Sequence, residues 1–195
     1  NRNYDYQPII FDKLPDVKDG TAKVTKVKVK VGDTYLDVAT DAIAKADKEL
    51  ELDQVSATFK YKEGLKWSDG QPLKASDSVF SFNTQKDKDS GIPSRFLVDR
   101  TASYVATDDR TVVWTGIPGF LYPTYYSAFF TPLPEHVLKG VAPKDIKSHA
   151  YARKPLGWGP FVVKEWISGD RIELEKNANY FRAKEGLPKV DRLVY

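Results

Sequence analysis

The sequence predicts a mixed α+β fold, rich in strand and carrying only a few helices. Two observations predict it. Apolar and polar residues alternate over several short runs, which is the period-two pattern of half-buried strands. Turn signals built on Gly, Asp and Pro separate those runs at hairpin spacing, and one run between them has helix character. The 195 residues suffice for one domain or one lobe of a larger protein, and the 41% hydrophobic content is enough for a core.

The chain opens on a short apolar segment, YQPIIFDKL (residues 6–14). In TAKVTKVKVKVGDTYLDVA, Val27, Val29 and Val31 alternate with Lys26, Lys28 and Lys30, and Gly32-Asp33 is expected to turn this strand into a partner strand, TYLDVA. The lysine stripe reads as a solvated face or a guarded sheet edge before it reads as an anion site. Residues 41–54 are open between helix, favoured by Ala, Lys, Glu and Leu, and strand, favoured by the alternation around Leu50 and Leu52. From Val55 the strand is clear, with Val55, Ala57, Phe59 and Tyr61 on one face. Ser68-Asp69-Gly70 is a turn, and ASDSVFSFN beyond it reads as a helix with Ser76 and Asp77 in its first turn. KDKDSGIPSR is a polar loop. TASYVATDDRTVVWTGI is a hairpin turning at Asp108-Asp109. Residues 118–138 are dense in aromatics and prolines. A second hairpin turns at Ser168-Gly169-Asp170, and LPKVDRLVY is one more strand.

Composition removes several kinds of chemistry. There is no cysteine, hence no disulfide, thiolate metal site or cysteine nucleophile. The two histidines, His136 and His149, lack a second ligand at metal-site spacing, so no metal or cofactor is expected. No nucleophile-elbow motif is present, and the acidic pairs fall where turns or solvated faces explain them. No catalytic residue is assigned. The formal charge of +3, from 30 basic and 27 acidic residues, gives no expectation of nucleic acid. No apolar run is long enough for a membrane helix. Methionine is absent, even at position 1, which reads as a processed or excised chain.

Aromatic content remains. The strand patterns around Trp114 and Trp166 place both in the core. Trp67 and Trp158 each sit beside a glycine-bearing turn, where a side chain can face a cleft. With Tyr125 and Tyr126 they are the candidate ligand-binding residues.

The stretch TFKYKEGLKWSDGQPLKASDSVFSF resembles the signature of the family 5 bacterial extracellular solute-binding proteins, receptors of ABC importers for peptides and nickel. Phe59, Gly64, Trp67, Asp69, Gly70, Pro72, Leu73, Ala75, Asp77, Val79, Phe80, Ser81 and Phe82 carry the likeness. A second block, GWGPFVVKEWISGDRIELEKNANYF, is similar to the family's in Gly157, Gly159, Pro160, Phe161, Trp166, Gly169, Asp170, Arg171, Asn177 and Tyr180. Pro134 and His136 match an element between the two. Departures are Trp67-Ser68 where the family has Phe-His, Lys74 where it has threonine, Trp158 inside its Gly-Thr-Gly, and a longer, more hairpin-like stretch over Val24–Gln54.

The resemblance implies a type II periplasmic-binding-protein fold of the larger peptide-receptor group, with residues 1–195 as the N-terminal lobe. Residues 20–150 would form the family's extra subdomain, and 1–19 with 151–195 a hinge-side sheet. The 157–180 hairpin, the 4–14 segment and the final strand would then share one sheet. The implied function is capture of a solute, an oligopeptide, with a second lobe of the same chain, followed by delivery to membrane permease subunits at an extracytoplasmic location. Apolar surface near Trp67, Trp158 and Tyr195 should lie open toward the second lobe. The competing readings are a carbohydrate-binding or adhesion module and a glycosidase fragment.

Overall fold

The computed structural model describes residues 6–195. Four strands, β1 (Ala22–Val29), β4 (Leu50–Lys60), β5 (Thr101–Ala106) and β6 (Thr111–Gly116), form an antiparallel sheet in the order β1-β4-β6-β5. A separate hairpin joins β2 (Thr34–Asp37) to β3 (Ala42–Lys45). A second sheet, in the order β7-β8-β9, contains β7 (Phe161–Ile167), β8 (Arg171–Lys176) and β9 (Arg192–Val194). Among the described residues three α-helices complete the fold, α1 (Ala75–Lys86), α2 (Phe96–Asp99) and α3 (Glu135–Leu138), with six short 3-10 turns between elements.

The core lies on one face of the four-stranded sheet. Val55, Ala57, Phe59 and Tyr61 are all buried, as the alternation predicts, and cross-strand partners extend the same face: Ala57 opposite Trp114, Phe59 opposite Val112, Tyr104 opposite Trp114. Helix α1 packs over it, bringing Phe82 within 5.5 Å of the Tyr104 ring and 4.8 Å of Phe130. The buried face of α1 also contains Asp77, Ser78 and Ser81. These polar groups are tolerable inside because they are bonded. The Ser78 hydroxyl lies 2.6 Å from the Tyr104 hydroxyl and donates to the Phe130 carbonyl. Burial pushes the Tyr104 and Tyr61 hydroxyls above their ordinary range.

The strand after Gly32-Asp33 is not the partner of β1. β1 pairs with β4, and TYLD of β2 pairs with β3. The register gives the reason. Val27 and Val29 stand opposite Leu52 and Leu50, while Lys26 and Lys28 stand opposite Asp53 and Glu51. Apolar positions and charges are both complementary across β1 and β4, which a pairing with β2 would not provide. The same register makes residues 50–54 strand, and pairing with β2 makes Ala42–Lys45 strand, despite the helical composition of residues 41–54. β1 is an edge strand with exposed lysines, as a guarded edge requires.

The N-terminal segment does not join the β7–β9 sheet. Phe11 bridges to Tyr61, with Asp12 N–H donating to the Lys60 carbonyl and Lys62 N–H to that of Ile10, both at 2.9 Å. The Phe11 ring then packs on Phe59, Tyr61 and Phe129, so apolar contact with the main core decides its place. Tyr4, part of that expectation, lies outside the described residues. β9 does pair with β8.

Trp114 is fully buried, but Trp166 is 45% exposed. The second sheet explains the difference. Phe161, Val163, Trp166, Ile172, Leu174 and Leu193 share one face through the register of β7, β8 and β9, and none of them is fully buried. The opposite face holds Glu173, which is buried and paired at 2.8 Å with both Lys164 and Arg192. The Lys164 hydrogen bond holds the Glu173 carboxyl below its ordinary range.

Before β1, Asp19 accepts hydrogen bonds from the Lys13 ammonium (2.7 Å), the Thr21 hydroxyl and the Thr21 N–H (2.9 Å). These lower its pKa from 3.8 to about 2, with Lys13 the largest cause. A depressed carboxylate stabilises the fold above its unfolded pKa and loses that contribution as pH falls through the folded value. An NMR titration should therefore place the Asp19 midpoint near pH 2, and Lys13→Gln should move it back toward 3.8. A midpoint at the ordinary value in the wild-type chain would show that the Lys13 contact does not persist in solution.

Candidate functional site

The WSDG stretch folds as a tight loop between two short extended arms. Trp67 N–H donates to the Gln71 carbonyl at 2.8 Å, Gly70 N–H to the Trp67 carbonyl at 2.9 Å, and Leu73 N–H to the Leu65 carbonyl at 3.0 Å. Asp69 closes the turn by accepting the Gln71 N–H at 3.0 Å. Gly70 sits at φ +90°, a conformation that side chains strain to adopt.

This loop is where the three sequence blocks meet. Ser68 N–H donates to the Gly157 carbonyl at 2.8 Å, and Asn179 Nδ2 donates to the Ser68 carbonyl at 3.0 Å. Asn177 braces the second block from within: its side chain donates to the Gly159 carbonyl at 2.8 Å and accepts the Asn179 N–H at 2.9 Å. From the third block, His136 Nε2 lies 2.9 Å from Asp69 Oδ2. Partial burial pushes the Asp69 carboxyl up, but the Gln71 N–H and His136 together outweigh it, and it rests below its ordinary value. The loop thus fastens the β7–β9 sheet and α3 to the main core.

Asp77 is the second fastener. Its buried carboxylate accepts the Trp67 indole N–H at 3.1 Å, the Lys74 N–H at 2.8 Å and the Glu135 N–H at 3.1 Å. Lys74, standing at the N-cap, has no side-chain oxygen to close the helix, and Asp77 reaches back to satisfy its backbone instead.

A cavity of about 800 Å³ opens beside this junction. Trp67 and Trp158 both line it, with Tyr151, Leu133, Ile146 and Leu156 among the apolar walls. Ser81, Thr84 and Gln85 of α1 form a polar strip, and Lys147 is its one charged lining residue. Trp67 is 1% exposed, so it is part of the packed floor rather than an open surface. Trp158 is half-buried, and Tyr195 is 75% exposed. The volume and mixed lining are those of a small-molecule or peptide side-chain site.

Tyr125 and Tyr126 do not reach this cavity. They line a separate cleft of about 510 Å³ with Tyr6, Leu14, Pro15, Asp16 and Lys18. The Tyr6 and Tyr126 rings meet edge-to-face at 5.0 Å. The four candidates therefore fall into two places. Sequence reasoning did not single out Tyr151, Lys147 or the polar strip of α1, because the segments 143–156 carry no pattern that foretells which way they face. Among the described residues no group of three or more His, Asp and Glu side chains could hold a metal, and no helix is long and apolar enough to cross a membrane.

Comparison with known proteins gives a consistent result. Residues 39–195 match the family described as bacterial extracellular solute-binding proteins, family 5 Middle. The oligopeptide-binding protein AppA of Bacillus subtilis is 29% identical over 202 residues, covering 97% of this chain and 35% of AppA. The structure of that protein in complex with a nonapeptide superposes with a TM-score of 0.61 at 28% identity, over 86% of this chain and 33% of AppA. An oligopeptide-binding protein from Thermus thermophilus, complexed with a pentapeptide, covers all of this chain and 34% of its own, with a TM-score of 0.71; at 19% identity it speaks for the fold alone. The chain spans about a third of the length of these relatives.

Proposed function

On the premise that the chain belongs to the bacterial extracellular solute-binding proteins of family 5 and has the fold of type II periplasmic binding proteins, we propose that it is the N-terminal lobe of a receptor that captures an oligopeptide for an ABC importer. The receptor encloses the peptide between this lobe and a second one and presents it to membrane permease subunits on the extracytoplasmic side. It performs no catalysis. Hinge closure supplies the switch, since enclosing a ligand from two sides excludes water from both.

The observation that carries this reading is the convergence of three separated motif blocks on one loop beside a cavity walled by Trp67 and Trp158. Residues 20–150 stand as the extra subdomain and 151–195 as the hinge-side sheet. The half-open apolar face around Trp166, Ile172 and Leu193 supports that division, because an apolar sheet face of this kind calls for a covering layer. The peptide named for AppA and its structure supports the substrate class. A carbohydrate-binding platform is the weaker reading: it needs a set of outward rings, whereas Trp67 and Trp114 are buried and the exposed Trp166 lies on a different sheet from both.

Native mass spectrometry of the full-length receptor, purified without unfolding, is the direct test. The expected result is a bound peptide, released on denaturation. Recovery of a sugar or a metal ion in its place, or hydrolysis of peptides abolished by one substitution in this chain, would overturn the reading.

A further inference from the structure

The lining of the main cavity is one-sided in charge. Trp158, Tyr151, Leu133 and Leu156 supply rings and aliphatic surface, and α1 supplies neutral hydroxyl and amide groups. Among the described residues no carboxylate lines it. The one charged residue among its described lining is Lys147, which forms no ion pair among the described residues. Across the strap of residues 151–156, whose Tyr151, Pro155 and Leu156 face both sides, the neighbouring cavity of about 580 Å³ is different: Asp69 and Glu175 line it with Lys154 and Lys164. Of these two cavities, only the first has a net electrostatic sign among its described lining residues.

Resting on the peptide-receptor reading, we propose that the main cavity takes an apolar side chain of the captured peptide and turns cationic side chains away. An apolar side chain entering it leaves water for rings and methyl groups. A lysine or arginine side chain would lose hydration with no carboxylate among this lobe's described lining to receive it, and would approach a like charge. An acidic side chain escapes that repulsion. Discrimination then rests on an unfavourable contact for the wrong ligand as much as on a favourable one for the right.

The test uses the full-length receptor, freed of endogenous ligand and refolded, with four pentapeptides of sequence Ala-Ala-X-Ala-Ala. X is Phe, Leu, Glu or Lys, so terminal charges are constant across the series. Calorimetry should rank Phe and Leu tightest and Lys weakest, by about tenfold or more, since an unpaired charge loses at least that much on desolvation. Lys147→Glu should tighten the Lys peptide and weaken the Glu peptide. Lys147 is solvent-exposed, so the variant should keep the wild-type melting temperature. Equal affinity for the Lys and Leu peptides, or an order unchanged by Lys147→Glu, overturns the selectivity while leaving the receptor reading intact. Failure of the folded wild-type receptor to bind any of the four, or any longer peptide, is the different result that overturns the receptor reading itself.

Discussion

Asp77→Ala is expected to lower the free energy of unfolding by about 3–5 kcal/mol, because each buried donor stripped of its acceptor costs roughly 1–3 kcal/mol and Asp77 serves three. The donors come from three parts of the chain: the Trp67 indole, the backbone at the start of α1 and the backbone at the start of α3. The alanine variant leaves all three without their partner. Asp77→Asn should cost less, since its carbonyl oxygen still accepts while its amide group faces donors it cannot serve. Urea unfolding measures both, with the loss appearing as a shifted midpoint at unchanged slope. Trp67→Phe in the Asp77→Ala background separates the indole bond from the rest: the two substitutions should be less than additive. Additive losses would mean the indole and carboxylate are not coupled, and the account of this fastener would fail.

Much of this arrangement is legible in the sequence, and the limits have physical causes. The face Val55-Ala57-Phe59-Tyr61 and the two hairpins around Asp108 and Gly169 follow from local alternation and turn chemistry, which act between neighbours in the chain. The partner of β1 does not, because the residues that complement Val27, Lys28 and Val29 lie beyond an inserted hairpin. They were nonetheless readable: Leu50-Glu51-Leu52 is the mirror of that pattern in both polarity and charge. The expectation of Trp166 in the core fails, since local alternation looks the same whether a layer covers it or not. The site divides similarly. The motif residues Asp69, Asp77, Gly157 and Asn177 are visible as a pattern, but what they do is hold backbone to backbone at one junction, and that is a tertiary fact. Tyr125 and Tyr126 have the composition of a ligand wall and line a cleft, but not the one where Trp158 stands.

A loss as large is expected at Trp114, where replacement by alanine should cost about 3–5 kcal/mol, the range for deleting a large buried aromatic. The indole is fully buried at the centre of the main sheet, 6.3 Å from the rings of both Phe120 and Tyr122, and its N–H donates to the Thr101 hydroxyl at 2.9 Å. Its neighbour Gly116 makes the packing testable in a second way. A methyl group at Gly116 would stand 2.9 Å from the Trp114 ring and 3.3 Å from Phe120. Gly116→Ala alone should therefore destabilise by about 1–3 kcal/mol through overpacking. In the Trp114→Ala background the ring is gone, and the same methyl should cost little or fill part of the vacated space. Thermal melts of the four chains in this cycle measure the coupling. If Gly116→Ala is equally harmful with and without the indole, contact with Phe120 sets its cost, and close packing of Trp114 over Gly116 is not what requires the glycine.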